Sequence, residues 1–315
     1  MTTSRPAPAA RTFSFGGEDR YVGTITDARG PAKPFGAIIW GMGIGEMRVA
    51  RALTKVGVTV MNIKREKYSL PELDAYGAER GREAMDVLRV KRGIERFIFM
   101  GNCSFASISF NTALRDERVI GLIMSNPHVS EMLSLPSSYR RKLLSVASWR
   151  QVLAGKFTLA RHLVNARRLK DIVVGRMKGL DEKSLIAKTH YNRDLTLPDD
   201  IGAKLAAFGA RGMHTLLVFS HNDGSLDYFR AAFGRALDGL GNVAGLTTEV
   251  LQTDAHLVTI DEEAARLISA SAAGWIERAD WSAAGRPRRQ ASVIRGPAAS
   301  WRLDEAVTRA PYPAG

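Results

Sequence analysis

Short apolar runs alternate along this chain with longer stretches of helical periodicity. Tyr21-Val22-Gly23-Thr24-Ile25-Thr26 alternates as an exposed strand does, and Arg29-Gly30-Pro31 marks a turn after it. Phe35 to Trp40 is a continuous apolar run. It leads into Gly41-Met42-Gly43-Ile44-Gly45, and a helix is expected from about Glu46 to Val56. Val58 to Ile63 reads as the next strand and 72–92 as a helix. Arg96 to Met100 and Val119 to Met124 are further strands, with a helix from Ser104 to Leu114 between them. Later strands are expected at Thr215 to Phe219 and Leu246 to Leu251, with helices over 225–239 and 261–278. Strands alternating with helices predict a mostly parallel sheet with helices on both faces, because strands covered on both sides need apolar residues at every position.

The rhythm breaks once. Residues 129–210 carry helical periodicity and much charge, and no strand is expected there. The sequence therefore divides into a disordered N-terminal tail (1–19), the first part of an α/β core (20–128) and a helical basic cap (129–210). The second part of the core (211–278) and a basic tail rich in Pro, Gly and Ala (279–315) follow. No internal repeat is visible.

Composition narrows the class. The 315 residues suffice for one large α/β domain. No apolar run approaches the roughly 20 residues needed to cross a bilayer. Residues 1–17 lack the apolar core of a secretory signal. A single cysteine excludes an internal disulfide framework and fits a reducing, cytoplasmic setting. No Cys/His cluster has zinc-site spacing, so neither metal nor cofactor is expected.

The formal charge is +13 and unevenly spread: Tyr139 to Lys183 holds twelve Lys and Arg against three acids, and a second basic patch runs from Arg286 to Arg309. Such a field attracts phosphate, acidic polysaccharide or an anionic membrane surface; a merely solvated face is the plainer reading. No nucleic-acid-binding motif accompanies the charge, so no nucleic-acid partner is expected.

Candidate chemistry centres on Phe97-Ile98-Phe99-Met100-Gly101-Asn102-Cys103-Ser104-Phe105-Ala106-Ser107. An apolar strand ends in glycine, then a nucleophile, then small residues opening a helix. A sharp strand-to-helix bend exposes the residue at the bend, and the positive helix terminus favours a thiolate there. A Cys buried as a small hydrophobe is the alternative. Asp223 and His256 also follow predicted strands, and the C-terminal strand ends form the ligand-binding edge of an open α/β sheet. Nucleophile, acid, histidine in that chain order suits covalent catalysis. Cys103 attacks a carbonyl, His256 carries the proton, and Asp223 orients the imidazole. The bland alternatives are a structural histidine and an aspartate serving a turn.

The oxyanion would be held by the backbone N–H of Ser104 and by that of Met42, beside Gly43. Two rival assignments exist. Ser104 is an alternative nucleophile with Ala106 two positions on, although Gly101 two positions before Cys103 favours the Cys register. Gly41-x-Gly43-x-Gly45 is similar to a dinucleotide loop, but Glu46 stands where the fingerprint needs glycine.

At this point the chain resembles the α/β-hydrolase superfamily over about residues 20–278. More narrowly it resembles bacterial α/β-hydrolase-like proteins associated with exopolysaccharide and exosortase systems. Their elbow of the form G-x-C-x-G-A-S is matched by Gly101 to Ser107, their Asn-Pro by Asn126-Pro127, and their Trp-to-Gly stretch by Trp149 to Gly155. Their final Asp and His match Asp223 and His256. The chain departs from them at Phe105, which replaces a glycine, and at Trp40-Gly41, where many relatives have His-Gly. Arg65-Glu66-Lys67 stands where a glycine-rich loop is usual.

The resemblance implies an α/β-hydrolase fold with a helical cap insertion, and hydrolysis or transfer of an acyl group through a thioester on Cys103. The basic cap, with Arg167, Arg168 and Lys170, suits a small-molecule or carrier-bound acyl substrate that is anionic. A hydrolase-like scaffold without catalysis is the second reading, and a nucleotide-binding protein using the Gly41 loop the third.

Overall fold

The architecture comes from a computed structural model whose described residues are 11–15, 21–41, 43–65, 73–128, 197–198 and 200–282. The strands are β1 (Arg11–Phe15), β2 (Tyr21–Thr26), β3 (Gly36–Trp40), β4 (Thr59–Arg65), β5 (Phe97–Asn102), β6 (Val119–Ser125), β7 (His214–Ser220) and β8 (Leu246–Leu251). The helices among the described residues are α1 (Ile44–Lys55), α2 (Leu73–Arg92), α3 (Ser104–Arg115), α4 (Ile201–Ala210), α5 (Gly224–Phe233) and α6 (Glu262–Arg278).

The eight strands among the described residues form one sheet in the order β1-β2-β4-β3-β5-β6-β7-β8. From β4 to β8 every neighbouring pair is parallel, while β1 and β2 join antiparallel at one edge. The side-chain period of two splits the apolar strands between two cores. Ile38, Trp40, Phe97, Phe99, Leu122, Met124, Leu217 and Phe219 face α2, α3, α4 and α5. Ala37, Ile39, Ile98, Met100, Ile120, Ile123, Leu216 and Val218 face α1 and α6. Every residue of β5 and β6 is buried, which is why these segments read as unbroken apolar runs.

Four boundaries differ from the sequence expectations. Arg11–Phe15, assigned to the disordered tail, is a strand paired with β2, and Phe15 stacks on Tyr21 at 5.8 Å. Residues 201–210, assigned to the cap, form α4. Its Ile201, Leu205 and Phe208 are buried in the sheet's own core, so α4 belongs to the α/β alternation. The helix expected over 225–239 stops at Phe233. Gly234 takes φ 91°, and a single 3₁₀ turn (Asp238–Leu240) follows. Trp281, assigned to the C-terminal tail, packs against the core. Its ring packs on Phe35 at 4.7 Å, and its Nε1 donates to the Ile276 carbonyl at 2.8 Å. The expected cap between 129 and 196, with Arg167, Arg168, Lys170 and the Trp149 to Gly155 stretch, lies outside the described residues, as does the tail from 283.

Candidate active site

The elbow is built by one glycine and one strained residue. Cys103, between β5 and α3, takes φ 56° and ψ −122°, a region that L-residues avoid. The chain must therefore reverse within one residue, and the first turn of α3 passes against β5. A Cβ on Gly101 would lie 2.1 Å from the Phe105 carbonyl oxygen, so position 101 admits only glycine. Phe105 itself does not crowd the bend. Its ring lies on Trp40, with centroids 5.8 Å apart and planes 8° from parallel. The aromatic at 105 thus fills the room beside the aromatic at 40.

Asp223 and His256 come from the ends of β7 and β8. Asp223 is the N-cap of α5: its Oδ1 accepts from the Ser225 backbone N–H at 2.8 Å and from Ser225 Oγ at 2.5 Å. Its Oδ2 meets His256 Nδ1 at 2.5 Å. His256 Nε2 in turn lies 3.3 Å from the Cys103 sulfur. One carboxylate oxygen therefore caps the helix while the other meets the imidazole. The carboxylate is 3 % exposed and the imidazole 37 %, so the ring reaches the surface while its anchor is sealed.

The electrostatics follow from this line. Burial pushes the Cys103 thiol up, but hydrogen bonds from His128 and His256, with their charges, outweigh it and bring the thiol down to about 5. Burial likewise opposes charge on His256, yet its bonds to Asp223 and Cys103 hold the ring's pKa at about 10. For Asp223, burial is outweighed by His256 and Ser225, and its pKa stays below the ordinary carboxylate value. At neutral pH the resting pair is a thiolate beside an imidazolium.

The candidate oxyanion donor Ser104 N–H is the first of α3, whose opening N–H groups have no acceptor within the helix. The proposed second donor, Met42, lies outside the described residues. Its neighbours are placed: Gly41 takes φ 110°, and its carbonyl accepts from Asn62 Nδ2 at 3.2 Å. Ser104, the alternative nucleophile, sits with Oγ 3.9 Å from the sulfur, while the imidazole addresses Cys103.

The Gly41–Gly45 loop has a structural reason of its own. Glu46, in the first turn of α1, folds back over it; a Cβ on Gly43 would lie 2.5 Å from Glu46 Oε2. A Cβ on Gly45 would lie 1.9 Å from the Thr259 carbonyl oxygen, so this glycine lets α1 close on the segment that follows His256. A carboxylate stands where a pyrophosphate would need to sit, and the dinucleotide reading loses its basis.

Two residues beside the line were not singled out as chemistry from the sequence. Asn126 Nδ2 donates to the His256 carbonyl at 2.7 Å, to the Ala255 carbonyl at 3.3 Å and to Ser220 Oγ at 2.9 Å, and its Oδ1 accepts from the Ser220 N–H at 2.7 Å. His128 is 5 % exposed, and its backbone N–H points to the Cys103 carbonyl at 3.4 Å. The available signal was positional: both follow β6, at the same strand edge as Cys103, Asp223 and His256.

Strand order, the antiparallel edge at β2, the strained elbow and the positions of acid and histidine define the α/β-hydrolase fold. Solved structures of that fold align over nearly their whole length. A proline iminopeptidase of Mycobacterium smegmatis matches with a TM-score of 0.51 at 15% identity, covering 86% of this chain and 100% of its own. A thermostable carboxyl esterase of Bacillus coagulans matches with a TM-score of 0.53 at 13% identity, covering 85% and 98%. At these identities the likeness shows the fold. No family model and no curated protein sequence matches the chain. Among the described residues, no helix is long and apolar enough to cross a membrane.

Proposed function

We propose that this chain is a cysteine-dependent acyl hydrolase or acyltransferase acting on an ester or thioester. The observation that carries the reading is the unbroken line from Asp223 Oδ2 through His256 to the Cys103 sulfur, with steps of 2.5 and 3.3 Å. The thiolate attacks the acyl carbonyl. The developing oxyanion is met by the Ser104 N–H at the start of α3 and by the Met42 N–H from the preceding loop. The imidazolium gives its Nε2 proton to the leaving group, and a thioester remains on Cys103. Neutral His256 then takes a proton from water or another acceptor, whose oxygen displaces the sulfur. Asp223 keeps the ring's Nδ1 proton in place and balances its charge.

The basic stretch from Tyr139 to Lys183, including Arg167, Arg168 and Lys170, favours an anionic acyl donor such as an acyl-CoA, an acyl carrier protein or an acidic glycan intermediate. Resemblance to the exopolysaccharide- and exosortase-associated proteins suggests a place in polysaccharide or secondary-metabolite biosynthesis, in the cytoplasm, with peripheral membrane contact through the basic surface. The second reading is a hydrolase-like scaffold in such a pathway. Phe105, which stands where the resembled elbow has glycine, raises that reading, although its ring is stacked on Trp40.

A chromogenic short-chain ester and an acyl-CoA, tested on wild type, Cys103→Ala and Ser104→Ala, separate these readings. Activity lost in Cys103→Ala and retained in Ser104→Ala is expected. Full activity in Cys103→Ala with none in Ser104→Ala overturns the nucleophile. No turnover, together with an unreactive Cys103, leaves the scaffold.

A further inference from the structure

We infer that Asn62 is a positioning residue for the reaction: its side-chain amide holds the Gly41 carbonyl and thereby sets the N–H of the same peptide unit, the Met42 donor, for the oxyanion. The inference rests on the acyl-enzyme reading above and adds a residue to it.

Asn62 stands where a buried strand has no use for an amide. β4 lies between β2 and β3, and residue 62 pairs with Thr24 on one side and Ile39 on the other. Its neighbours along β4, Met61 and Ile63, are fully buried apolar residues, and Asn62 is as fully buried as they are. A buried amide costs free energy unless both of its ends are paired. Only one is: Nδ2 donates to the Gly41 carbonyl at 3.2 Å, while Oδ1 has no hydrogen-bond partner among the described residues. An apolar side chain would fill this place without that loss, so packing does not account for the residue. What the amide does supply is one N–H, given to the loop that follows β3.

That loop needs a lock. Gly41 sits at φ 110°, where side chains are disfavoured, and Gly43 follows two residues on. Glycines on both sides let a peptide unit turn over, exchanging the directions of its carbonyl and its N–H. In a planar trans unit those two groups point opposite ways, so the bond that holds one sets the other. The Gly41 N–H is already taken by the Ile63 carbonyl at 2.8 Å, which ties the near side of the residue to β4. Asn62 Nδ2 ties the far side to the same strand. Glu46 cannot take its place. Its Oε1 lies 2.9 Å from where a Gly41 Cβ would be, but a carboxylate only accepts. Held by Asn62, the unit offers its N–H to a developing oxyanion; turned over, it would offer a carbonyl and repel it.

The test sets two reactions of the Cys103 sulfur against each other in the full chain. With p-nitrophenyl acetate the S–C bond forms as the carbonyl electron pair moves onto oxygen, and p-nitrophenolate leaves when that pair returns. With iodoacetamide the sulfur displaces iodide from a saturated carbon, and no oxyanion forms. Asn62→Leu and Asn62→Asp both remove the N–H, the second with the shape kept. Each should slow the acylation burst about 10- to 100-fold while alkylation stays within about twofold of wild type. A merely structural amide would slow both reactions together or neither, and either result overturns the inference. Should Asn62→Leu fail to fold, Asn62→Asp decides. A second measurement needs no turnover. Labelling with ¹³C-carbonyl glycine and ¹⁵N-methionine leaves two linked pairs, Gly41-Met42 and Gly212-Met213. Either variant should move the resonance of the first pair and not of the second, and an unmoved first resonance overturns the inference. Wild-type acylation with an unchanged ratio of the two rates in both variants sinks this inference alone. A moved resonance with no acylation of wild type by any donor sinks the acyl-enzyme reading alone.

Discussion

The Asn126 side chain holds the main chain of His256: Nδ2 donates to the His256 carbonyl at 2.7 Å, while Oδ1 accepts from the Ser220 N–H at 2.7 Å. One fully buried amide therefore ties the end of β7 to the loop that carries the imidazole, and fixes both against the end of β6. Histidine placement is decided by a residue that touches neither the sulfur nor the carboxylate.

Replacing this amide tests that tie. Asn126→Ala leaves buried donors and acceptors without partners and puts a non-Asn residue at φ 40°. It should cost about 1–3 kcal/mol in urea unfolding. Alkylation of Cys103 by iodoacetamide should fall toward that of an ordinary thiol as His256 loses its fixed place. Asn126→Asp keeps the acceptor for Ser220 but sets a carboxylate against the Ala255 and His256 carbonyls, and should be the worse of the two. Unchanged unfolding and unchanged alkylation in Asn126→Ala would remove Asn126 from the account.

The thiolate–imidazolium pair sets a pH profile. With the thiol at about 5, alkylation should rise through that region and then level off, whereas an ordinary thiol rises near 8.5. The plateau should change again near 10, where His256 gives up its proton. The sign for stability follows. A histidine whose folded pKa is raised stabilises fully below its unfolded value of about 6.5, and the contribution is lost as pH climbs through about 10. A cysteine whose folded pKa is lowered contributes above its unfolded value, and the contribution is lost as pH falls through about 5. A single alkylation midpoint near 8.5 in the folded wild type would contradict the ion pair.

Asp223 has two jobs that mutation can separate. Asp223→Asn keeps an oxygen to cap α5 but removes the charge behind His256. Thermal stability should fall, because the imidazolium loses its buried counter-charge, and turnover should fall on the order of 10²–10⁴. Asp223→Ala removes the cap as well, at about 1 kcal/mol more. Equal turnover in wild type and Asp223→Asn would show that this carboxylate serves only the helix.

Phe105→Gly puts a glycine two positions after the bend, as a glycine-flanked elbow would have it, and relief of crowding would be the simple expectation. The packing predicts otherwise. The ring stacked on Trp40 is lost, and a helix position gains a glycine, so the folded state should weaken by about 2–4 kcal/mol. The alkylation midpoint of Cys103 should stay where it is, since Phe105 carries no charge to the sulfur. A stabilised Phe105→Gly protein would mean that the stack is strained.

Much of this architecture was readable from residue order. Strands buried on both faces need apolar residues at every position, so β3, β5, β6 and β7 announced themselves as unbroken runs. The elbow was readable for a similar reason: a bend too sharp for a side chain at position 101 leaves a glycine at a set distance from Cys103. Asp223 and His256 were readable because the edge of a parallel sheet that collects ligands is the edge where its strands end. The strand β1 was not, because Arg11–Phe15 finds its partner in β2 rather than in its own pattern. Residues 201–210 passed for cap because helical periodicity says nothing of which sheet face a helix covers.

Sequence alone thus determined which residues stand at the strand ends, since burial and turning impose local rules on residue type. Tertiary structure alone decided which of them meet. The 3.3 Å approach of His256 to Cys103 spans 153 positions, and the amide of Asn126 reaches 130 positions to fix it. Distances between side chains far apart in the chain depend on strand order, crossover packing and loop anchoring together, and no local pattern of residues encodes that sum.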